Sequence, residues 1–150
     1  MVEKIVYNVD RQYKECPMKL TTKSEYLLLA LIYIARHEKD DFIKIEDICS
    51  EYDISKKYLE QLFFTLKQNR YLRTKRGAKG GYKFAIPANK ISVAEIARLM
   101  DGALAPTESV SKYFYSPTPL EKEEKVMRVL KEIRDYIANK LERLTISDLV

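Results

Sequence analysis

The chain has 150 residues, 46% of them hydrophobic and 33% charged, with a net charge of +5, which suits one globular domain plus a single dimerisation element. Its longest apolar run, residues 26–35, holds ten residues, about half of what an α-helix needs to cross a bilayer. The opening MVEKIVYNVD lacks the apolar stretch of a secretory signal, so a cytoplasmic protein with no membrane partner is expected, and two cysteines, Cys16 and Cys49, are too few for a disulfide scaffold.

Residues 1–17 form a mixed N-terminal extension, open to reading as an extra strand, a disordered arm or a start-site artefact. Lys4, Arg11 and Lys14 are offset by Glu3, Asp10 and Glu15, which does not support a basic DNA-binding arm. A first helix is expected over 22–37, opened by a capping box at Thr22 and Glu25. Leu27, Leu28, Leu29, Leu31, Ile32 and Ile34 make it apolar nearly all round, so it should be buried, in part under a second subunit. The only histidine, His37, closes this helix as a surface residue. Residues 42–44 read as a short strand added to a later hairpin.

Residues 45–87 organise the rest. In 45–52, Ile45, Ile48, Cys49 and Tyr52 recur at helical spacing. Asp53 and Ile54 make a tight turn, and Ser55 is the expected N-cap of a second helix over 55–72. Tyr58, Leu59, Leu62, Phe63 and Leu66 form its apolar stripe. Two helices joined this closely fit a helix-turn-helix, whose second helix enters the major groove. Two strand-like runs over 72–86 surround Gly77, Gly80 and Gly81, which allow the chain to reverse as a hairpin, or wing. Between Ser55 and Lys83 stand nine positive side chains and one negative one, Glu60. Such a block is the footprint of a polyanion partner, and a phosphate near Lys56 and Lys57 would offset the unfavourable helix dipole there.

Beyond Pro87, Ser92 and Glu95 form a capping box opening a helix to about Met100, with Val93, Ile96, Ala97 and Leu99 as core and Gly102 as its stop. Residues 103–117 are irregular. Thr118, Pro119 and Glu121 signal the start of a long helix reaching about Leu144. Val126, Leu130, Ile133, Ile137, Leu141 and Leu144 mark a seam along a partner helix, and seven positive charges balance seven negative ones over 118–150. This is a protein-contact element, either between subunits or back onto the first helix. Thr145 and Asp148 cap a last turn.

MKLTTKSEYLLLALIYIA (18–35), ISKKYLEQLF (54–63), RGAKGGYKFA (76–85) and LTISDLV (144–150) together resemble the Rrf-two family of bacterial winged-helix regulators, nearly colinearly from Met18 onward. The pairing of YLEQL with RGxxGGY is specific. The resemblance implies a mainly α fold with a small β-hairpin wing, a winged helix-turn-helix over 18–101, and a linker and two-fold dimerisation helix over 102–150. It also implies that Arg76 reaches a minor groove.

Many members of that family hold an iron–sulfur cluster through three closely spaced cysteines between the last two helices. Residues 101–120 here contain neither cysteine nor histidine, and thiolates are what hold such clusters, so the chain resembles the cluster-free branch and no cofactor is expected. Cys49 reads as a small buried hydrophobe; Cys16, a lone thiol, is a weak sensor. Tyr113, Phe114 and Tyr115 are open to two readings, core packing or a small-molecule or protein effector site. No catalytic motif is present, so no enzyme is expected.

The resulting expectation is a homodimeric regulator, a repressor, on palindromic double-stranded DNA. Its candidate DNA-binding residues are Ser55, Lys56, Lys57, Tyr58, Glu60, Gln61, Arg76, Gly77, Lys79, Gly80, Gly81 and Tyr82. Lys56, Lys57, Lys79 and Lys83 are assigned to phosphates, and Glu60 and Gln61 to base edges. The alternative is a protein-interaction module that binds an acidic partner or an enzyme through the wing or the dimer helix.

Overall fold

A computed structural model describes residues 19–39 and 41–150; the expectations for residues 1–17, Cys16 included, lie outside them. Three helices build the centre: α1 (Thr22–His37), α2 (Ile45–Tyr52) and α3 (Lys56–Gln68). Strands β1 (Leu72–Lys75) and β2 (Gly81–Phe84) pair antiparallel, with Leu72 opposite Phe84 and Lys75 opposite Gly81. Helix α4 (Val93–Asp101) and the long α5 (Glu124–Arg143) follow, separated by an irregular stretch with two short 3-10 turns.

The 3.6-residue spacing of apolar side chains decides which faces turn inward. Leu27, Leu31 and Ile34 of α1, Ile48 of α2, and Leu59, Phe63 and Leu66 of α3 are all fully buried in one cluster. At about 25 cal/mol per Å² of apolar surface, burying each of these side chains contributes roughly 1.5–3 kcal/mol. Leu29 and Ile32 remain partly exposed, so α1 is less completely covered than its composition suggests. A second, smaller cluster unites Ala105, Val110 and Met127 beneath α5.

Chain segments distant in sequence close the core. Ile146 is fully buried in the central cluster, because the backbone after α5 pairs with the segment before α4. The Val93 N–H donates to the Leu144 carbonyl (2.8 Å), and the Ile146 N–H donates to the Ile91 carbonyl (2.9 Å). The expected last turn forms over Ile146–Leu149, with the Asp148 carboxylate accepting from the Thr145 N–H and hydroxyl.

Several boundaries differ from the sequence-based expectation. The Ser92 and Glu95 capping box forms, with both reciprocal bonds in place. The box at Thr22 and Glu25 does not. Thr21 is the N-cap instead, and its N–H and hydroxyl, together with the Ser24 hydroxyl, donate to the carboxylate of Asp101 at the end of α4. The helix start expected at Thr118 moves to Glu124: the Thr118 hydroxyl donates to Ser109 Oγ (2.9 Å), Glu121 accepts from the Tyr115 hydroxyl (2.8 Å) in place of a capping box, and residues Pro119–Lys122 form a 3-10 turn ahead of α5. Helix α3 ends at Gln68, four residues early. Arg70 takes a left-handed conformation (φ 62°), and the Tyr71 N–H closes back on the Leu66 carbonyl (2.9 Å), a stop that glycine would ordinarily make.

Candidate nucleic-acid interface

The turn between α2 and α3 is built by Asp53, whose left-handed φ of 52° a short polar side chain tolerates, and by Ile54, whose side chain plugs the core. These two residues set α3 across α2 in the arrangement of a helix-turn-helix. Along α3, residues facing the core alternate with an outward face carrying Lys57, Glu60, Gln61, Phe64 and Lys67, all exposed. Ser55 stands at the N-cap with its hydroxyl free of a capping bond; it is exposed at the end of that face.

The hairpin is fixed to α3 by an aromatic contact. Phe63 is fully buried, and its ring meets the Tyr82 ring edge-on at 4.7 Å. Burial also pushes the Tyr82 phenol above its ordinary pKa. Behind the hairpin, the expected third strand shrinks to one bridge: the Ile43 N–H donates to the Tyr82 carbonyl (2.9 Å), and the Tyr82 N–H donates to the Ile43 carbonyl (2.8 Å). That close approach explains Gly81. Its φ is +147°, and a Cβ there would lie 2.3 Å from the Ile43 carbonyl oxygen. Gly80 is equally constrained, since its Cβ would meet the Lys75 carbonyl oxygen at 2.2 Å. Gly77, by contrast, has open space around it and needs glycine only for its φ of +103°.

The candidate residues thus separate by role. Lys57, Glu60, Gln61, Arg76 and Lys79 are exposed on α3 and the hairpin tip. Tyr58 is half-buried and meets the Tyr26 ring edge-on at 5.9 Å, so like Tyr82 it is engaged in packing. Lys56 is held by Glu46 of α2 at 2.6 Å, with Glu60 at 3.9 Å. The anion that offsets the helix dipole at this position therefore lies within the chain. The bond lowers the Glu46 carboxyl pKa and raises that of the Lys56 ammonium. Lys83 faces Glu38 across 3.8 Å, both side chains largely buried.

Sequence reasoning passed over Phe64, which is 60% exposed and lines a groove between α3 and the hairpin with Glu60, Lys67, Lys75 and Arg76. The signal was present in its offset from the apolar stripe. Arg73 and Lys75, part of the basic block, both stand over the Phe42 ring, at 5.8 and 5.9 Å.

Cys49 is partly buried against the core, and burial raises its thiol pKa, which makes it a poor nucleophile. His37 stacks on Tyr33 at 4.0 Å, with Nδ1 2.8 Å from the Tyr33 carbonyl oxygen. Tyr113, Phe114 and Tyr115 do not form a core: they are 68%, 48% and 60% exposed, with Arg98 over the Tyr113 ring at 4.8 Å.

The sequence profile described as "Rrf2: Iron-dependent Transcriptional regulator" matches residues 20–150. The chain is 31% identical over 133 residues to the transcriptional regulator CymR of Bacillus subtilis, covering 88% of this chain and 89% of that one. It is 38% identical over 91 residues to protein rrf2 of Nitratidesulfovibrio vulgaris, 61% of each. Two Mycobacterium tuberculosis regulators match at 30% identity over only 58% of their length, less than two thirds. Among solved structures, CymR of B. subtilis superposes with a TM-score of 0.70 at 27% identity, covering 87% of this chain and 95% of that one. The IscR of T. potens gives 0.67 at 26%, covering 87% and 85%.

The family description names iron, and the described residues do not fit an iron–sulfur cluster. Between α4 and α5 the chain carries neither thiol nor imidazole, and among the described residues no group of three or more His, Cys, Asp or Glu could hold a metal ion. The helix-turn-helix, the hairpin docked on α3 and the match over residues 20–150 together establish that the chain belongs to the Rrf2 family of transcriptional regulators.

Proposed function

We propose that the chain is a homodimeric repressor that binds a palindromic duplex operator, with α3 of each subunit in a major groove and the hairpin tip in the neighbouring minor groove. The observation that carries this reading is the continuous outward face of α3 and the hairpin, locked together through Phe63 and Tyr82 and strongly basic. Lys57 and Lys79 would contact phosphates and position the protein; Glu60 and Gln61 would read base edges, Glu accepting from cytosine N4 and Gln pairing with adenine. Arg76, at the hairpin tip, would enter the minor groove. Residues 18–101 would form the DNA-binding part and 102–150 the dimerisation part.

The dimer reading draws support from α5. Val126, Val129, Ile133 and Tyr136 are 44%, 53%, 38% and 67% exposed, spaced three, four and three residues apart, so they lie on one helix face. Leu130, Ile137, Leu141 and Leu144 of the expected seam are instead partly buried within the chain. A two-fold dimer places half-sites one or two helical turns apart.

The test is selection of sheared genomic DNA on the purified protein, followed by titration of the recovered duplex at several salt concentrations. A shared palindrome whose log affinity falls by about 0.9 per neutralised phosphate for each tenfold rise in salt supports operator binding. Arg76→Ala should then weaken binding by about 1–3 kcal/mol. Retention of DNA with no common motif, at low salt only, would favour an acidic protein as the partner. A reporter placed behind the recovered operator gives the sign of regulation.

A further inference from the structure

Resting on the operator reading above, we infer that Phe64 is a specificity-determining residue that reads the 5-methyl group of a thymine in the major groove. An aromatic ring left 60% exposed on α3 is costly in a chain whose other α3 aromatics pack inward. Phe64 lies one helical turn beyond Glu60 and Gln61, on the same outward face. It lines the groove between α3 and the hairpin, and the groove's rim carries Lys67, Lys75 and Arg76. Those cations match a phosphate backbone, and they flank an apolar surface that the described residues leave 60% exposed.

In a major groove only one base-pair group is apolar: the thymine 5-methyl, which side chains such as Ala, Thr and Phe contact. Seated there, Phe64 would shield that methyl from water. Burying one methyl is worth about 0.8 kcal/mol, which corresponds to about a fourfold change in affinity per half-site. The ring has no polar atom and discriminates through shape and hydration alone. Its contribution is therefore distinct from the hydrogen bonds of Glu60 and Gln61.

The experiment uses the full chain and the duplex recovered by genomic selection, with each thymine replaced in turn by deoxyuridine, which removes only the methyl. Wild-type protein should lose about three- to fivefold in affinity at one symmetric pair of positions. Phe64→Ala, which removes the ring from both half-sites, should bind the thymine duplex about 10- to 25-fold more weakly, the square of the single-position factor, and become indifferent to uracil at that pair. Phe64→Leu, which keeps an apolar side chain, should retain part of the sensitivity. Because Phe64 is exposed, neither variant is expected to alter the melting temperature by more than a degree or two. Uracil penalties that persist unaltered in Phe64→Ala, or that are absent from the wild type, overturn this assignment while leaving operator binding intact. Failure to recover any common duplex overturns both.

Discussion

Replacing Asp101 by alanine probes the contact that most directly joins the start of the described fold to its later part. The Asp101 carboxylate accepts from the Thr21 N–H (2.9 Å), the Thr21 hydroxyl and the Ser24 hydroxyl (2.7 Å). Thr21 is partly exposed, so water replaces much of what it loses. Ser24 is fully buried, so its hydroxyl cannot reach solvent. A hydrogen bond to a charged group contributes about 1.5–3 kcal/mol, and the partly exposed Thr21 donors add about 1 kcal/mol. The expected destabilisation is therefore roughly 2–4 kcal/mol. In a chain of this size each kcal/mol lowers Tm by about 2–4 °C, so Asp101→Ala should melt about 5–15 °C lower in a circular-dichroism scan. Protein concentration must be held constant, since dimerisation would make Tm concentration-dependent. Asp101→Asn keeps an acceptor oxygen and should lose about half as much. The double variant with Ser24→Ala should recover about 1–2 kcal/mol as coupling energy, because the stranded hydroxyl is gone. A melt of Asp101→Ala within 2 °C of wild type, or strict additivity with Ser24→Ala, would refute the argument.

Gly81→Ala should cost about 2–3 kcal/mol in urea denaturation, since its Cβ would strike the Ile43 backbone and its φ of +147° strains any L side chain; Gly77→Ala, with open space around it, should cost about 1 kcal/mol, and equal costs would contradict the steric account. Ile133→Glu on the exposed face of α5 should convert the proposed dimer to monomer in size-exclusion chromatography with light scattering, and an unchanged mass would remove that face from the interface. Acid should destabilise the fold, because Asp148, bonded to the Thr145 hydroxyl and N–H, and Asp135, bonded to Arg134, have carboxyl pKa values lowered by folding. A depressed carboxyl stabilises the fold above its unfolded pKa of about 3.9, and that contribution is lost as pH falls through the folded value. Asp148→Asn should accordingly flatten the fall in urea midpoint between about pH 5 and pH 2; an unchanged slope would show that the bond is absent in solution. The Glu46 and Lys56 pair is exposed and should weaken with added salt.

Local features of the sequence carried the helices and the hairpin well. Helix α1 spans 22–37 and α2 spans 45–52, as their apolar spacing implies, since burial of one face is what makes short helices persist. The Ser92 and Glu95 capping box was legible because both partners lie within one turn. The start of α1 was not, because the N-cap lies one residue earlier, at Thr21, and the side chain bonded to it and to Ser24 is Asp101, 77 residues from Ser24. The end of α3 was misplaced for a related reason: Arg70 adopts a left-handed conformation that its side chain does not advertise. At the candidate interface, the basic cluster was legible as charge, but the partner of each cation was not. Lys56 and Lys83 proved to face Glu46 and Glu38, partners contributed by other elements. Tyr58 and Tyr82 looked like surface residues of a motif, yet their rings are half-buried against Tyr26 and Phe63.

The burial of Ile146 in the central cluster makes α5 a strut held at both ends. Near its start, Met127 is buried with Ala105 and Val110; beyond its end, the backbone of Leu144 and Ile146 is stitched to residues 91–93. A strut so held cannot pivot independently of the body that carries α3. If two such struts meet across a two-fold axis, the separation of the recognition helices becomes a fixed gauge, like the jaws of a set caliper. Any signal that alters DNA affinity would then have to reset the gauge through the packing at one of these two anchorages.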